Sequence, residues 1–233
     1  MPLHVLFACC ILLLNSCSAT YSWTERHPTF QVQAPLVEIG MPELGDRWIL
    51  IRASWFSERL HIPTAQVYDT LGIELRETFS AAMNQRIPTL RTIPASILDS
   101  LAAPETQKLG SSYFLKGRFP AQGQSITSNG FVLPQLLLVQ ELTIGPDITR
   151  EDLYDPAKSN QDTQGRSKKV KTLHAIASWS LWDNRKQHYL VNGISESSLP
   201  WDGQDGEALH TLLHSLLSDL SGRILAQIQG SQQ

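Results

Sequence analysis

Cysteine is scarce in this chain of 233 residues: only Cys9, Cys10 and Cys17 are present, all near the start. That excludes a disulfide scaffold. Basic excess is missing as well, since 19 Lys and Arg against 22 Asp and Glu leave a net charge of −3, which removes the signature of a general nucleic-acid binder. No apolar run approaches the roughly 20 residues that a bilayer-crossing helix requires. There is no Gly-x-Ser-x-Gly elbow, and beyond Cys17 no thiol is left to act as a nucleophile. What the chain does have is 42% hydrophobic residues and six Trp. That suffices for a true core, in one domain with extensions or two small ones.

The first residues read as an export label. Ten apolar residues run from Val5 to Leu14, and as a helix they would span about 15 Å, half of a hydrocarbon core, the size of a signal-peptide h-region. Leu14-Asn15-Ser16-Cys17 resembles the bacterial lipobox, in which an aliphatic residue and a small residue precede the cysteine that becomes lipidated. The resemblance implies a signal peptide over residues 1–16, Cys17 as the lipid-attachment residue with three acyl chains, and a Gram-negative envelope. Ser18, standing where an Asp would favour inner-membrane retention, implies the outer membrane and a periplasmic location. Ordinary cleavage after Ala19, with Cys17 and Ala19 as the two small residues a signal peptidase reads, and an uncleaved anchor are the other readings.

Residues 17–46 carry Pro28, Pro35 and Pro42 with little periodicity, so they read as a tether or irregular arm that Trp23 and Phe30 pin to the rest. From about residue 47 to 230 the patterns are those of an αβ domain. Residues 48–54 read as a strand. Val67, Leu71, Leu75, Phe79 and Met83 then recur every four residues, which predicts a helix with one buried face. Strands follow at 87–93 and 111–119, with a short helix at 95–101 between them. Residues 131–144 are aliphatic on both faces, as in a covered central strand, with Pro134 at an edge or bulge. Alternation from Thr172 to Leu181, a polar turn at 183–186 and residues 187–193 predict a hairpin. Trp179 and Trp182 fall on opposite faces, so one should be core and the other exposed or covered by the last helix. That helix is marked by Leu209, Leu213, Leu216, Leu217, Leu220, Ile224 and Ile228, with Glu207 in its first turn and Gly230 after its end. Between the long strands lies a polar insertion at 145–171, expected to be disordered over 158–169.

The fold expected is α+β, a mixed sheet with helices packed on it. Its layout is similar to the small αβ domain of the TolB amino-terminal region, the curli secretion lipoprotein and the lipoproteins that activate penicillin-binding proteins. The helix at 67–83 after the first strand, Tyr113-Phe-Leu-Lys-Gly-Arg118, and Ser180-Leu-Trp-Asp-Asn-Arg-Lys186 ahead of Tyr189 carry that similarity.

Candidate chemistry is sparse. His174 and Asp183, with a serine, are the components of a hydrolytic triad. His210 and His214 have the four-residue spacing of zinc ligands but lack the intervening Glu of a zincin helix. Glu141 and Asp147 are carboxylates near a strand end without a defined partner. Arg166, Lys168, Lys169 and Lys171 form a basic cluster suited to a solvated turn, lipid headgroups or an acidic partner. Trp201 is placed to staple the last helix or to meet a partner. No catalytic residue, metal ligand or cofactor is assigned. The function expected is that of an outer-membrane lipoprotein bound to the membrane by its lipid and acting, without catalysis or nucleic acid, as a binding or assembly factor for an envelope protein. An extracytoplasmic hydrolase, and an auxiliary subunit of an envelope lipid or polysaccharide export system, are the alternatives.

Overall fold

A computed structural model describes residues 22–28, 30, 38–101, 105–109, 113–117, 120–121, 123–128, 131–148, 172–201 and 206–230. The signal peptide, Cys17, residues 158–169 and the basic cluster lie outside them.

The strands are β1 (Trp23–Arg26), β2 (Ile39–Pro42), β3 (Trp48–Leu50), β4 (Leu90–Ile93), β5 (Glu105–Leu109), β6 (Tyr113–Gly117), β7 (Thr127–Ser128), β8 (Phe131–Val132), β9 (Gln135–Pro146), β10 (Thr172–Asp183) and β11 (His188–Pro200). The helices are α1 (Ala53–Leu60), α2 (Thr64–Arg86) and α3 (Gly206–Gln229), with a 3₁₀ segment at Ala95–Ser100. Seven strands form one mixed sheet in the order β1-β11-β10-β9-β2-β4, and β3 also pairs with β9. The expected α+β class is thus the observed one.

The hairpin of β10 and β11 is antiparallel over its whole length, and β9 joins β10 antiparallel on the other side. Leu173, Ala175, Ala177, Trp179 and Leu181 face α3 and are fully buried beneath its leucine stripe. Helix α2 buries Val67, Leu71, Leu75, Phe79 and Met83 in the same core. Both helices therefore cover one face of the sheet, as their single apolar stripes require. Gly230, at φ 70, closes α3 in the left-handed conformation that glycine adopts without cost.

Four sequence expectations are corrected. The arm at 17–46 is not irregular throughout, because β1 adds to the edge of β11 and β2 inserts between β9 and β4. These segments are four residues each, too short for alternation to register. The strand expected at 48–54 stops at Leu50, and α1 begins at Ala53 after Arg52 turns left-handed at φ 58. The strand expected at 111–119 exists as β6, but it pairs with β5 in a separate ribbon outside the main sheet. The long central strand is interrupted at Leu133-Pro134, where proline cannot donate to a ladder, giving β8 and then β9.

A second, smaller core covers the far face at one end of the sheet. It joins Ile93, Leu98, Leu101, Ile126, Leu133, Leu136, Leu138 and Trp182. Trp182 is 1% exposed, so it is neither open nor under the last helix: both tryptophans are core, one on each face. Asn184 fastens this cap to the hairpin turn. Its Oδ1 accepts from the Ile126 amide at 2.7 Å, and its Nδ2 donates to Ile126 O at 2.6 Å and Leu133 O at 2.9 Å. Asn184→Ala would strand three buried backbone groups. It is expected to cost about 2–3 kcal/mol, read as a lower urea midpoint at unchanged slope.

Candidate functional site

The densest cluster of chemistry-bearing side chains among the described residues sits where β9 ends and β10 begins. Period-two alternation puts Thr172 and His174 on the far face of β10, away from the helices. Register then places Gly145 of β9 and Ser198 of β11 beside His174, and Glu196 diagonally across on β11. Gly145 is needed there, because a Cβ at that position would stand 2.6 Å from the Cβ and 2.9 Å from the carbonyl oxygen of Ile51.

The side chains form a line. His174 Nδ1 lies 2.8 Å from Glu196 Oε1, and His174 Nε2 lies 2.7 Å from Thr172 Oγ1. The Thr172 hydroxyl is also placed to donate to Asp147 Oδ1 at 3.2 Å, and the Thr172 amide reaches the same oxygen at 3.4 Å. Asp147 in turn donates its own amide to Thr172 O at 3.1 Å. Asp147 holds φ at 42, a left-handed conformation that Asp tolerates. The two ends of the polar insertion are thereby clamped together. Imidazole and Glu196 are largely buried, with side chains 16% and 12% exposed.

The structure regroups the residues singled out in the sequence. His174 and Asp183 sit nine residues apart on one strand, about 30 Å at strand rise, and so do not meet. Asp183 instead accepts the amides of Arg185 and Lys186 at 3.0 and 2.9 Å and shapes the turn. His210 spends Nδ1 on Glu74 of α2 at 2.7 Å, tying α3 to α2, while His214 is exposed. Among the described residues no three His, Cys, Asp or Glu gather as metal ligands. Glu141 accepts from the Thr143 hydroxyl at 3.2 Å. Trp201 packs edge-on against Trp55 of α1 at 5.2 Å between centroids, with the Arg59 guanidinium 4.0 Å over the Trp55 ring. It thus staples α1 to the chain entering α3. Burial lowers the Arg59 pKa, and Glu58 beside it pulls the other way. Phe30 packs on the main core, as expected of a pin for the arm.

Glu196 was not singled out by its sequence context of serines. The signal lay in the hairpin: counting back from the 183–186 turn puts it near His174.

No family model matches this chain, and a search of curated protein sequences finds no match. Among solved structures, the PelC dodecamer from Paraburkholderia phytofirmans is similar at a TM-score of 0.35 and 9% identity, covering 91% of this chain and 100% of that one. A single-substitution variant of the same dodecamer gives a TM-score of 0.35 and 9% identity over 90% and 98%. A likeness at this level says nothing of what the chain does.

Proposed function

We propose that this chain is an outer-membrane lipoprotein, anchored through Cys17, whose periplasmic domain works without catalysis by binding an envelope protein along the outer edge of β11. The observation that carries the proposal is the mismatch between β11 and β1. β11 runs for 13 residues, but β1 pairs only with residues 191–194, and beyond them no further strand lies on that side among the described residues. Ser195 and Ser197 are tied down to α3 through Gln227 and Asp219 at 2.8 and 2.7 Å. The helix therefore holds the face of the strand and leaves backbone donors and acceptors along residues 197–199 for an added strand.

The Glu196–His174–Thr172 line has the acid–imidazole–hydroxyl order of a triad, yet its surroundings support the non-catalytic reading. The Asp147 carboxylate lies beside the hydroxyl, placing negative charge where an oxyanion would need donors. It also engages the Thr172 amide, a donor that stabilisation would use.

The test has two arms. Intact mass of the purified protein should match a chain beginning at Cys17 with three acyl chains; a mass of unmodified residues 20–233 ends the lipoprotein part. A photo-crosslinking residue at Pro200, the exposed end of β11, installed in cells, should capture one discrete envelope protein. The same probe at the exposed Asp69 of α2 should not. Equal patterns from the two positions end the edge-binding part.

A further inference from the structure

The clamp between β9 and β10 contains one hydroxyl hydrogen and two acceptors that compete for it. Thr172 Oγ1 is 2.7 Å from His174 Nε2 and 3.2 Å from Asp147 Oδ1. A hydroxyl donates once, so which acceptor it serves depends on what the imidazole presents. When His174 is neutral, the carboxylate of Glu196 at 2.8 Å selects the tautomer with hydrogen on Nδ1. Nε2 is then a bare acceptor and takes the hydroxyl hydrogen, and of the two Thr172 donors Asp147 keeps the amide. When His174 is protonated, both ring nitrogens donate. Nε2–H then points at Oγ1, whose own hydrogen can turn only to Asp147.

We propose that protonation of His174 reorients the Thr172 hydroxyl from the imidazole to Asp147, so that the junction of β9 with β10 is held more tightly in acid than at neutral pH. One proton passes from solvent to Nε2. The hydroxyl hydrogen stays on its oxygen and swings, and no covalent bond changes. Among the described residues, the groups facing His174 are Glu196 and Ser198 from β11, Thr172 and Ile176 from β10, and Ile51 from the segment before α1, with Asp147 following β9 and Glu141 further along that strand. Glu196 stands against the imidazolium directly and Asp147 through the Thr172 hydroxyl, so the protonated line is hydrogen-bonded from end to end. The device stands or falls independently of whether the β11 edge binds a partner.

Amide exchange on the full mature chain, read by NMR together with the His174 ring nitrogens, tests it. Relative to intrinsic rates, protection of the Thr172 and Asp147 amides should rise about five- to tenfold as His174 becomes protonated, the size of one net hydrogen bond. Thr172→Val keeps the branched strand side chain but removes the hydroxyl. It should abolish the rise while the His174 ring still titrates, and Thr172→Ser should restore it. Should Thr172→Val fail to fold, Asp147→Gly, which suits φ 42 and offers no side-chain acceptor, supplies the second variant, with an expected rise of under twofold. An undiminished rise in either variant, or a neutral ring carrying its hydrogen on Nε2, would overturn the proposal.

Discussion

Arg47→Met is expected to lower the unfolding free energy by about 3 kcal/mol, at roughly 1–3 kcal/mol for each buried acceptor left without a donor, and the midpoint of thermal unfolding by about 6–12 °C. The reason lies in a gap in the sheet. On one side β9 is lined first by β2, opposite Gln135 and Leu136, and later by β3, opposite residues 142–144. Between the two, no ladder reaches the carbonyl of Val139. Arg47 fills the gap: its Nη1 donates to Val139 O, its Nε to Leu44 O at 3.1 Å, and its Nη2 to Pro42 O at 3.3 Å and Glu43 O at 2.5 Å. Five fixed donors match several carbonyls in a way no other side chain does. Burial lowers its pKa to about 10, so at neutral pH the side chain is still a cation and its bonds are charge-assisted. Arg47→Lys should recover less than half of the loss, because a point ammonium cannot span the same acceptors. Equal stability of Met and wild-type proteins in calorimetry would refute this account.

Trp179→Ala should cost about 3–5 kcal/mol, the range for deleting a buried aromatic side chain. Trp179 is fully buried between β10 and α3. Its Nε1 donates to Ser195 Oγ at 2.8 Å, which donates in turn to Gln227 Oε1 at 2.8 Å. The indole lies on Gly193 of the neighbouring strand, where a Cβ would fall 2.4 Å from Cζ2. That contact permits a sharper test. Gly193→Ala alone should destabilise by about 1–3 kcal/mol through overpacking, and much less once Trp179→Phe has removed the six-membered ring it strikes. Additive effects in the double variant would mean that the two sites are not in contact.

The elements legible in the sequence were those that repeat. Helices α2 and α3 show apolar residues over five turns, and β10 alternates from Thr172 to Leu181, so periodicity alone located them. The elements that were missed are short or borrowed. β2 is four buried residues, Ile39–Pro42, that form a strand only because β4 and β9 flank them. α1 begins two residues after a strand, and what secures it is Trp55 and Phe56 entering the core. The candidate site was half visible. Asp147 stands out in the sequence as a carboxylate near a strand end and His174 as a triad component, but His174 and Asp183 lie on one extended segment and cannot meet. The correct acid, Glu196, comes from the returning strand, a relation that pairing register supplies and composition does not.

The two-neighbour arrangement along β9 also bears on how the chain assembles. β10 and β11 are joined by a four-residue turn, and α3 follows almost at once, so these contacts close short loops. The contacts of β2 and β3 with β9 join segments that lie far apart along the chain. Loop-closure entropy therefore favours a nucleus built from the carboxy-terminal half. The amino-terminal strands would dock last, one after the other, onto a β9 already in place.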